Sequence, residues 1–206
     1  MAAFPRTVKP ASVTYPQNIG SLISVGQSGG LQTRSQVAQG LIWQETWPAL
    51  PAGNEDVQEL LVTIQNLYNT GATCTLTQYL LPGSGLTANG SGAGSPKVNG
   101  PGQSGTSLMT YGWTASEAGV MKAGDCFTVP GVSVLFRVTA DASADGSGLA
   151  TLSIAPPIIA GSSPTNSGVL TIASASVTAV ILDYDGAVAG PSEYIGGLSV
   201  TFQEAP

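Results

Sequence analysis

The stretch that most constrains the fold is residues 120–158, VMKAGDCFTVPGVSVLFRVTADASADGSGLATLSIAPPI. Residues 125–129 and 133–139 flank the turn-forming pair Pro130-Gly131, and apolar residues recur at every second position of the second segment. Residues 149–154 alternate in the same way. Because alternation with a period of two is typical of half-buried strands, the stretch predicts three short antiparallel strands.

Two segments of this stretch are predicted to lie outside the strands. Residues 140–148 are rich in Asp, Ser and Gly, and they predict a turn without an apolar anchor. Pro156-Pro157 is predicted to end the third strand, because proline has no N–H to donate to a neighbouring strand.

Residues 54–69 predict one amphipathic helix. Asn54 is a suitable N-cap, Glu55 and Asp56 place negative charge in the first turn, and Gly71 is a stop signal. The apolar residues that recur at helical spacing, and that we expect to be buried against a sheet, are Val57, Leu60, Leu61, Ile64, Leu67 and Tyr68.

The rest of the chain predicts an extended arm, a hairpin turn and more strands. Residues 1–20 are punctuated by prolines, and they predict an arm that lies along a neighbouring subunit or along the edge of its own sheet. Residues 183–186 contain an Asp-Gly pair and predict a hairpin turn. Further strands are predicted at residues 22–25, 39–47, 73–81, 106–113, 169–172, 177–182 and 194–202.

The glycine-rich segment 82–105 interrupts this pattern. Its composition predicts a long mobile loop or linker that contributes nothing to a core, and we place a domain boundary there. The predicted fold class is mainly β. Residues 1–82 and 176–206 are predicted to form a discontinuous β-sandwich domain with one packed α-helix, and residues 83–175 a small antiparallel barrel inserted between them.

The composition narrows the classes of function. Charged residues make up only 9% of the chain, against about 25% in ordinary soluble domains. Low charge with abundant Gly, Ser, Thr and Val is typical of a β-rich protein packed against neighbours. The net charge is −6 and no basic run occurs, which argues against a sequence-specific nucleic-acid surface. Histidine is absent, which removes the commonest general base and metal ligand.

The cysteines and the hydropathy pattern give three further expectations. Cys74 and Cys126 have no CxxC spacing, and they are interpreted as small buried apolar residues rather than metal or redox groups. Residues 1–10 have no apolar h-region, so no signal peptide is expected and synthesis and folding are placed in a cytoplasm. No stretch is apolar enough to predict membrane insertion.

Two groups of carboxylates are candidate sites in the sequence. Residues 141–146 resemble the start of a calcium loop, but its twelfth position is Leu152 rather than the bidentate Glu that such loops need, which favours a solvated turn. Asp183 and Asp185 have the alternate spacing of a possible acid–base pair, but their place beside a turn favours turn formation. No metal or cofactor is predicted.

The remaining motifs carry no catalytic signature. Trp43, Trp47 and Trp113 have two interpretations, sugar stacking or packing in a core or interface, and packing is favoured. Residues 89–91 fit an N-glycan acceptor without any sign of a secretory route, and residues 90–94 lack the Gly-Lys-Ser/Thr of a P-loop. We predict no catalytic and no cofactor-binding residue, and therefore no enzyme.

The 120–158 stretch resembles a segment of the distal tail proteins of long-tailed, siphovirus-type phages. The residues that match this pattern of strands and turns are Lys122, Ala123, Gly124, Asp125, Phe127, Val138, Asp141, Leu152, Ile154 and Pro156-Pro157. The end of the chain, GLSVTFQE, resembles the closing strand of the same family. In the subgroup that it resembles, an OB-like β-barrel is inserted into a ring-forming β-sandwich.

The resemblance implies a structural virion protein at the distal end of the phage tail. The family forms a hexameric ring that joins the tail tube to the tail tip or baseplate hub. The implied partners are further copies of the chain, the tail tube protein and the tail tip hub protein, with a host-surface saccharide as a candidate ligand. Two alternatives stay open: a carbohydrate-binding β-module that uses exposed tryptophans, and another phage tail or head structural protein.

Overall fold

The computed structural model describes residues 2–5, 7–8, 10–14, 22–25, 31–34, 42–77, 88–185, 194–195 and 197–205. These residues are mainly in antiparallel sheets, with one helix. The elements are β1 (Ala2–Ala3), β2 (Ser12–Val13), β3 (Leu22–Val25), β4 (Leu31–Arg34), β5 (Ile42–Trp47), β6 (Leu50–Pro51), α1 (Glu55–Thr70), β7 (Cys74–Thr77), β8 (Gly94–Val98), β9 (Gly105–Trp113), β10 (Cys126–Val129), β11 (Val132–Val138), β12 (Leu149–Ile158), β13 (Ser176–Asp185), β14 (Tyr194–Ile195) and β15 (Leu198–Glu204). The predicted fold class, mainly β of the sandwich and barrel type, is confirmed.

The chain divides into two compact units. Met1–Phe4 and Thr75–Thr178 form the first, which we call the barrel unit, and Pro5–Cys74 and Ala179–Pro206 form the second, the helix unit. The sequence placed the boundaries at 82/83 and 175/176. That the two units are a sandwich domain and an inserted domain stays a prediction. Among the described residues, no helix has the length and apolar character to cross a bilayer.

The barrel unit is built on a five-stranded antiparallel sheet in the order β10-β11-β12-β9-β8. The three strands predicted within residues 120–158 are confirmed as β10, β11 and β12. The register places Phe127 opposite Phe136 across β10 and β11, and Leu152 opposite Leu108 across β12 and β9. Partners in an antiparallel pair point to the same face, so the alternation seen in the sequence builds one continuous apolar face.

Residues 167–171 close this sheet by binding both of its edge strands. Leu170 N donates to Pro96 O of β8 at 2.9 Å. Thr171 exchanges two backbone hydrogen bonds with Thr128 of β10, at 2.9 and 3.0 Å. These contacts are isolated bridges, so the regular strand predicted at 169–172 is wrong in form. Closure satisfies edge groups that an open sheet would leave unpaired.

The barrel is filled by apolar side chains. The rings of Phe127 and Phe136 stack with centroids 5.6 Å apart. Ala142 and Ala144 belong to the same cluster, so the expectation that residues 140–148 have no apolar anchor is wrong. A small residue such as alanine gives only a weak hydrophobic signal in a sequence. Its methyl group can nevertheless pack against a core and hold a turn in place. The larger members are Val98, Leu108, Trp113, Val120, Met121, Phe127, Val129, Phe136, Val138, Leu152, Ile154, Ile158 and Leu170.

The glycine-rich segment is not a linker where the structure describes it. Residues 94–98 form β8, and Val98 is fully buried in the barrel core. A Cβ on Gly94 would lie 2.5 Å from the carbonyl oxygen of Gly112 on β9, and a Cβ on Gly112 would lie 2.6 Å from that of Ser95. These glycines therefore allow two strands to approach closely. Residues 82–87 lie outside the described residues.

Pro156-Pro157 does not end its strand, contrary to the prediction. β12 continues to Ile158, and its register against β9 shifts between Ser153 and Ile158. A register shift of this kind accommodates proline, because bulged residues need not donate an N–H to the neighbouring strand.

The helix unit contains the sheet order β13-β15-β5-β2. Phe202 of β15 lies opposite Trp43 of β5 and Ile181 of β13. The final strand predicted at 194–202 is divided, because β14 pairs with β6 while β15 pairs with β5 and β13. β13 runs on through Asp185, so the turn predicted at 183–186 is wrong for residues 183–185, and Gly186 lies outside the described residues.

The described N-terminal arm lies along its own chain, one of the two positions expected for it. Ser12 and Val13 of β2 pair with the edge of β5. Trp47 Nε1 donates to Val8 O at 3.0 Å, and Ala11 N donates to Thr46 O at 2.8 Å. Residues 15–20 of the predicted arm lie outside the described residues.

Helix α1 follows the predicted pattern closely. The Asn54 side chain accepts a hydrogen bond from Asp56 N at 2.9 Å, and Gly71 ends the helix with φ of 63°. Four predicted residues are buried: Val57, Leu60, Ile64 and Leu67. Leu61 is only half-buried, and Tyr68 is 43% exposed while its ring meets Tyr184 of β13 edge-on at 5.1 Å. The buried face of α1 is therefore narrower than the sequence predicts.

Replacing Leu60 with alanine is expected to lower the free energy of unfolding by about 2–5 kcal/mol, because the side chain is fully buried and its loss leaves a cavity. Val62→Ala, on the same helix but 62% exposed, is the matched control and should change it by less than about 0.5 kcal/mol. Urea unfolding measures both. Equal effects of the two variants would contradict this packing of α1.

Gly112→Ala is expected to destabilise the barrel unit by about 2 kcal/mol or more, because its φ is 86° and the new Cβ would press on Ser95 O. Gly146→Ala is the control, since its nearest neighbour is Ser116 Oγ at 4.0 Å. Thermal unfolding of both variants checks the prediction. A Gly112→Ala protein as stable as wild type would mean that β8 and β9 are not packed this closely.

Candidate functional site

A buried carboxylate, that of Asp125, makes several hydrogen bonds to the backbone. It is fully buried just before β10 and accepts hydrogen bonds from three backbone N–H groups: Asn89 at 2.6 Å, Gly90 at 2.9 Å and Lys122 at 2.7 Å. Its oxygens are therefore occupied by the protein's own backbone. In the sequence, Asp125 stands out only as one residue of the pattern that resembles the distal tail proteins. This arrangement fixes the chain and offers no reactive oxygen to a substrate.

The carboxylate of Asp141 lies at the surface. Asp141 Oδ1 accepts a hydrogen bond from Ala123 N at 2.9 Å, and Oδ2 lies 3.5 Å from Lys122 Nζ. The backbone hydrogen bond, aided by the Lys122 charge, lowers the pKa of Asp141. Because the folded pKa lies below the unfolded one, the contribution of the ionised group is present at neutral pH and is lost as pH falls through the folded pKa.

Asp145 forms a turn, as the sequence favoured. Its Oδ1 accepts hydrogen bonds from Ser147 N at 2.7 Å and Leu149 N at 2.9 Å. This contact leads the chain from the turn into β12, as Asp side chains commonly do by hydrogen-bonding to backbone a few residues on. Across the described ranges, no group of three or more His, Cys, Asp or Glu side chains is placed to hold a metal ion.

Asp183 and Asp185 lie near the end of β13. Both are exposed on β13, opposite Thr201 and Ser199 of β15. An acid–base pair requires two carboxyl groups that flank a bound substrate. These two are instead exposed at alternate positions of one strand.

The three tryptophans are packed inside the protein. Trp43, Trp47 and Trp113 are 2%, 0% and 4% exposed. Trp43 stacks on Phe202 with ring centroids 5.7 Å apart, and Trp113 Nε1 donates to Thr110 Oγ1 at 2.8 Å. The packing interpretation is confirmed. The alternative of sugar stacking on exposed tryptophans is wrong, because none of these ring faces is open to a ligand.

Both cysteines are buried, as predicted, and neither forms a disulfide. Cys74 and Cys126 are 1% and 3% exposed. Burial raises the pKa of Cys126, and this effect exceeds the lowering caused by the nearby Arg137 charge. The thiolate is the reactive form of cysteine, so burial makes Cys126 a poor nucleophile.

One open groove of about 550 Å³ lies in the barrel unit. Its lining comes from two segments, within residues 88–96 and 169–174. The lining consists of Ala88, Gly90, Ser91, Gly92, Gly94, Ser95, Pro96, Val169, Leu170, Thr171, Ile172, Ala173 and Ser174. The described lining residues therefore present hydroxyl groups, backbone and small apolar surfaces, and none of them has a charged or aromatic side chain.

Calcium is expected to leave the melting temperature of the protein unchanged, both in wild type and in the variants Asp141→Asn and Asp145→Asn. In each residue, Oδ1 already accepts backbone hydrogen bonds, and asparagine keeps an acceptor oxygen. Thermal scans with and without calcium measure this. A calcium-dependent rise in melting temperature that either variant abolishes would establish a cation site in this turn.

No family model and no curated protein matches this sequence.

Proposed function

We propose that the protein is a structural virion protein, a distal tail protein whose hexameric ring joins the tail tube to the tail tip or baseplate hub. The observation that carries the proposal is the order of the two units along the chain. The helix unit takes residues from both sides of the barrel unit's main segment. A barrel inserted in this way into a β-rich unit with one helix is the organisation that the resemblance implies.

The roles of the matched residues support the proposal. Phe127, Val138, Leu152 and Ile154 all point into the barrel core, and Asp125 binds three backbone N–H groups. The pattern that gave the resemblance therefore consists of residues that build a barrel. These residues have structural roles, as expected for a family whose members act by assembling into a ring.

The composition is compatible with a ring. Only 18 of 206 residues are charged, 6 basic and 12 acidic. A weakly charged surface presents little electrostatic opposition to close contact between subunits. A closed ring uses head-to-tail contacts repeated by rotation, and the tail tube sets that rotation in the proposed assembly. A host-surface saccharide stays a candidate ligand, but its recognition would not use the three buried tryptophans.

Electron microscopy of phage particles tests the location. A gold-binding tag is inserted after Gly146, which lies in an exposed turn. We expect the label at the distal end of the tail, in a ring with six-fold symmetry. Label on the capsid, or in a ring with neither three-fold nor six-fold symmetry, would refute the proposal. An equivalent tag on the tail tube protein is the positional control, because it should decorate the whole tail.

A further inference from the structure

Residues 88–92, which we call the strap, lie against the loop formed by residues 119–122 in the barrel unit. Ser91 N donates to Gly119 O and Gly92 N donates to Val120 O, each at 3.0 Å. The approach is close, since a Cβ on Gly90 would lie 2.5 Å from Val120 O. The position is therefore fixed by backbone contacts and by the absence of a side chain.

Among the described residues, the strap has few other means of attachment. Its sequence is Ala88, Asn89, Gly90, Ser91 and Gly92, with no large apolar residue, and none of the five belongs to the buried core of the barrel. Burial of apolar surface is the dominant stabilising term for most segments, and here it is small. Hydrogen bonds must therefore supply most of the stabilisation. The Asp125 carboxylate makes two of them, to Asn89 N and Gly90 N, and it also binds Lys122 N in the facing loop.

We infer that Asp125 is a latch that holds the strap, and that breaking this contact releases residues 88–92 as a local unit while the barrel stays folded. The strap supplies part of the lining of the groove in the barrel unit, including Gly90, Ser91 and Gly92. Leu170 and Thr171, which also line the groove, are held separately by backbone bonds to β8 and β10. Release of the strap would therefore change one part of the groove lining and leave the other in place. This inference does not depend on the proposed function.

Hydrogen exchange read out by mass spectrometry tests the latch. In Asp125→Asn, exchange in a peptide spanning residues 88–92 should accelerate by about 10- to 100-fold, the range expected when a charge-assisted hydrogen bond is lost. Peptides from β9 and β12 should stay protected. Asp141→Asn is the matched control, because Asp141 is an exposed carboxylate in the same unit that also accepts a backbone N–H. It should leave the strap unchanged.

A second variant releases the strap without altering the carboxylate. Gly90→Ala should accelerate the same peptide, because the methyl group cannot fit against Val120 O. Gly146→Ala is its control. Unchanged exchange of the strap in Asp125→Asn would overturn the inference. So would simultaneous loss of protection in the strap, β9 and β12 in both test variants, since that would make Asp125 part of one cooperative core.

The wild-type protein gives an independent test that needs no variant to fold. With rising urea, the strap amides of Asn89 and Gly90 should exchange through a local opening that depends little on denaturant. Amides of β9 should exchange only by the larger opening that exposes the core. Equal rates and equal denaturant dependence for the strap and β9 would overturn the inference.

Discussion

The barrel unit depends on the backbone hydrogen bonds that residues 167–171 make to both edges of its sheet. Without them, β8 and β10 would each present an unpaired edge, and Leu170 would leave the core that it now fills. The chain at Gly168 is closely surrounded, because a Cβ there would lie 2.8 Å from Thr165 O and 3.2 Å from the Pro130 ring. A short irregular segment thus makes the backbone hydrogen bonds that a sixth strand would otherwise make to β8 and β10. Few residues are enough to pair backbone groups on both edge strands, because the segment runs from β8 to β10.

The features that the sequence predicted well are those set by neighbouring residues. Asn54 and Gly71 begin and end α1 through contacts within one or two turns, and the alternation in β11 and β12 follows from one buried face. The errors occur where distant strands decide the outcome. Pro156-Pro157 is accommodated because the register against β9 shifts beside it. The sequence around Gly94 predicts a flexible segment. In the structure, the missing side chain of Gly94 allows β9 to lie close to β8. Neither partner strand is visible in the local sequence.

The same distinction applies to the polar sites. The tryptophans and cysteines were assigned to the interior from residue type and spacing, and burial agrees. The sequence does not show that the Asp125 carboxylate holds two segments together. Two of its three hydrogen-bond partners, Asn89 and Gly90, lie 36 and 35 residues away in sequence. Gly124-Asp125 directly before a strand was the available signal. Such a pair marks a tight turn, but it does not reveal which backbone the carboxylate binds.

Aspartates of the barrel unit act mainly as acceptors for the protein's own backbone. Asp125 and Asp145 bind N–H groups in turns and loops, and Asp141 combines one such bond with an exposed contact to Lys122. An exposed ion pair of this kind stabilises the fold little, because solvent screens it, whereas a buried acceptor that is lost leaves several donors unsatisfied. With 6 basic residues in 206, the chain has few partners for ion pairs, and backbone N–H groups take that place. Charge is thereby used to fix loops inside one subunit. In the proposed ring, contacts between subunits would then rest on shape, hydroxyl groups and backbone rather than on opposite charges.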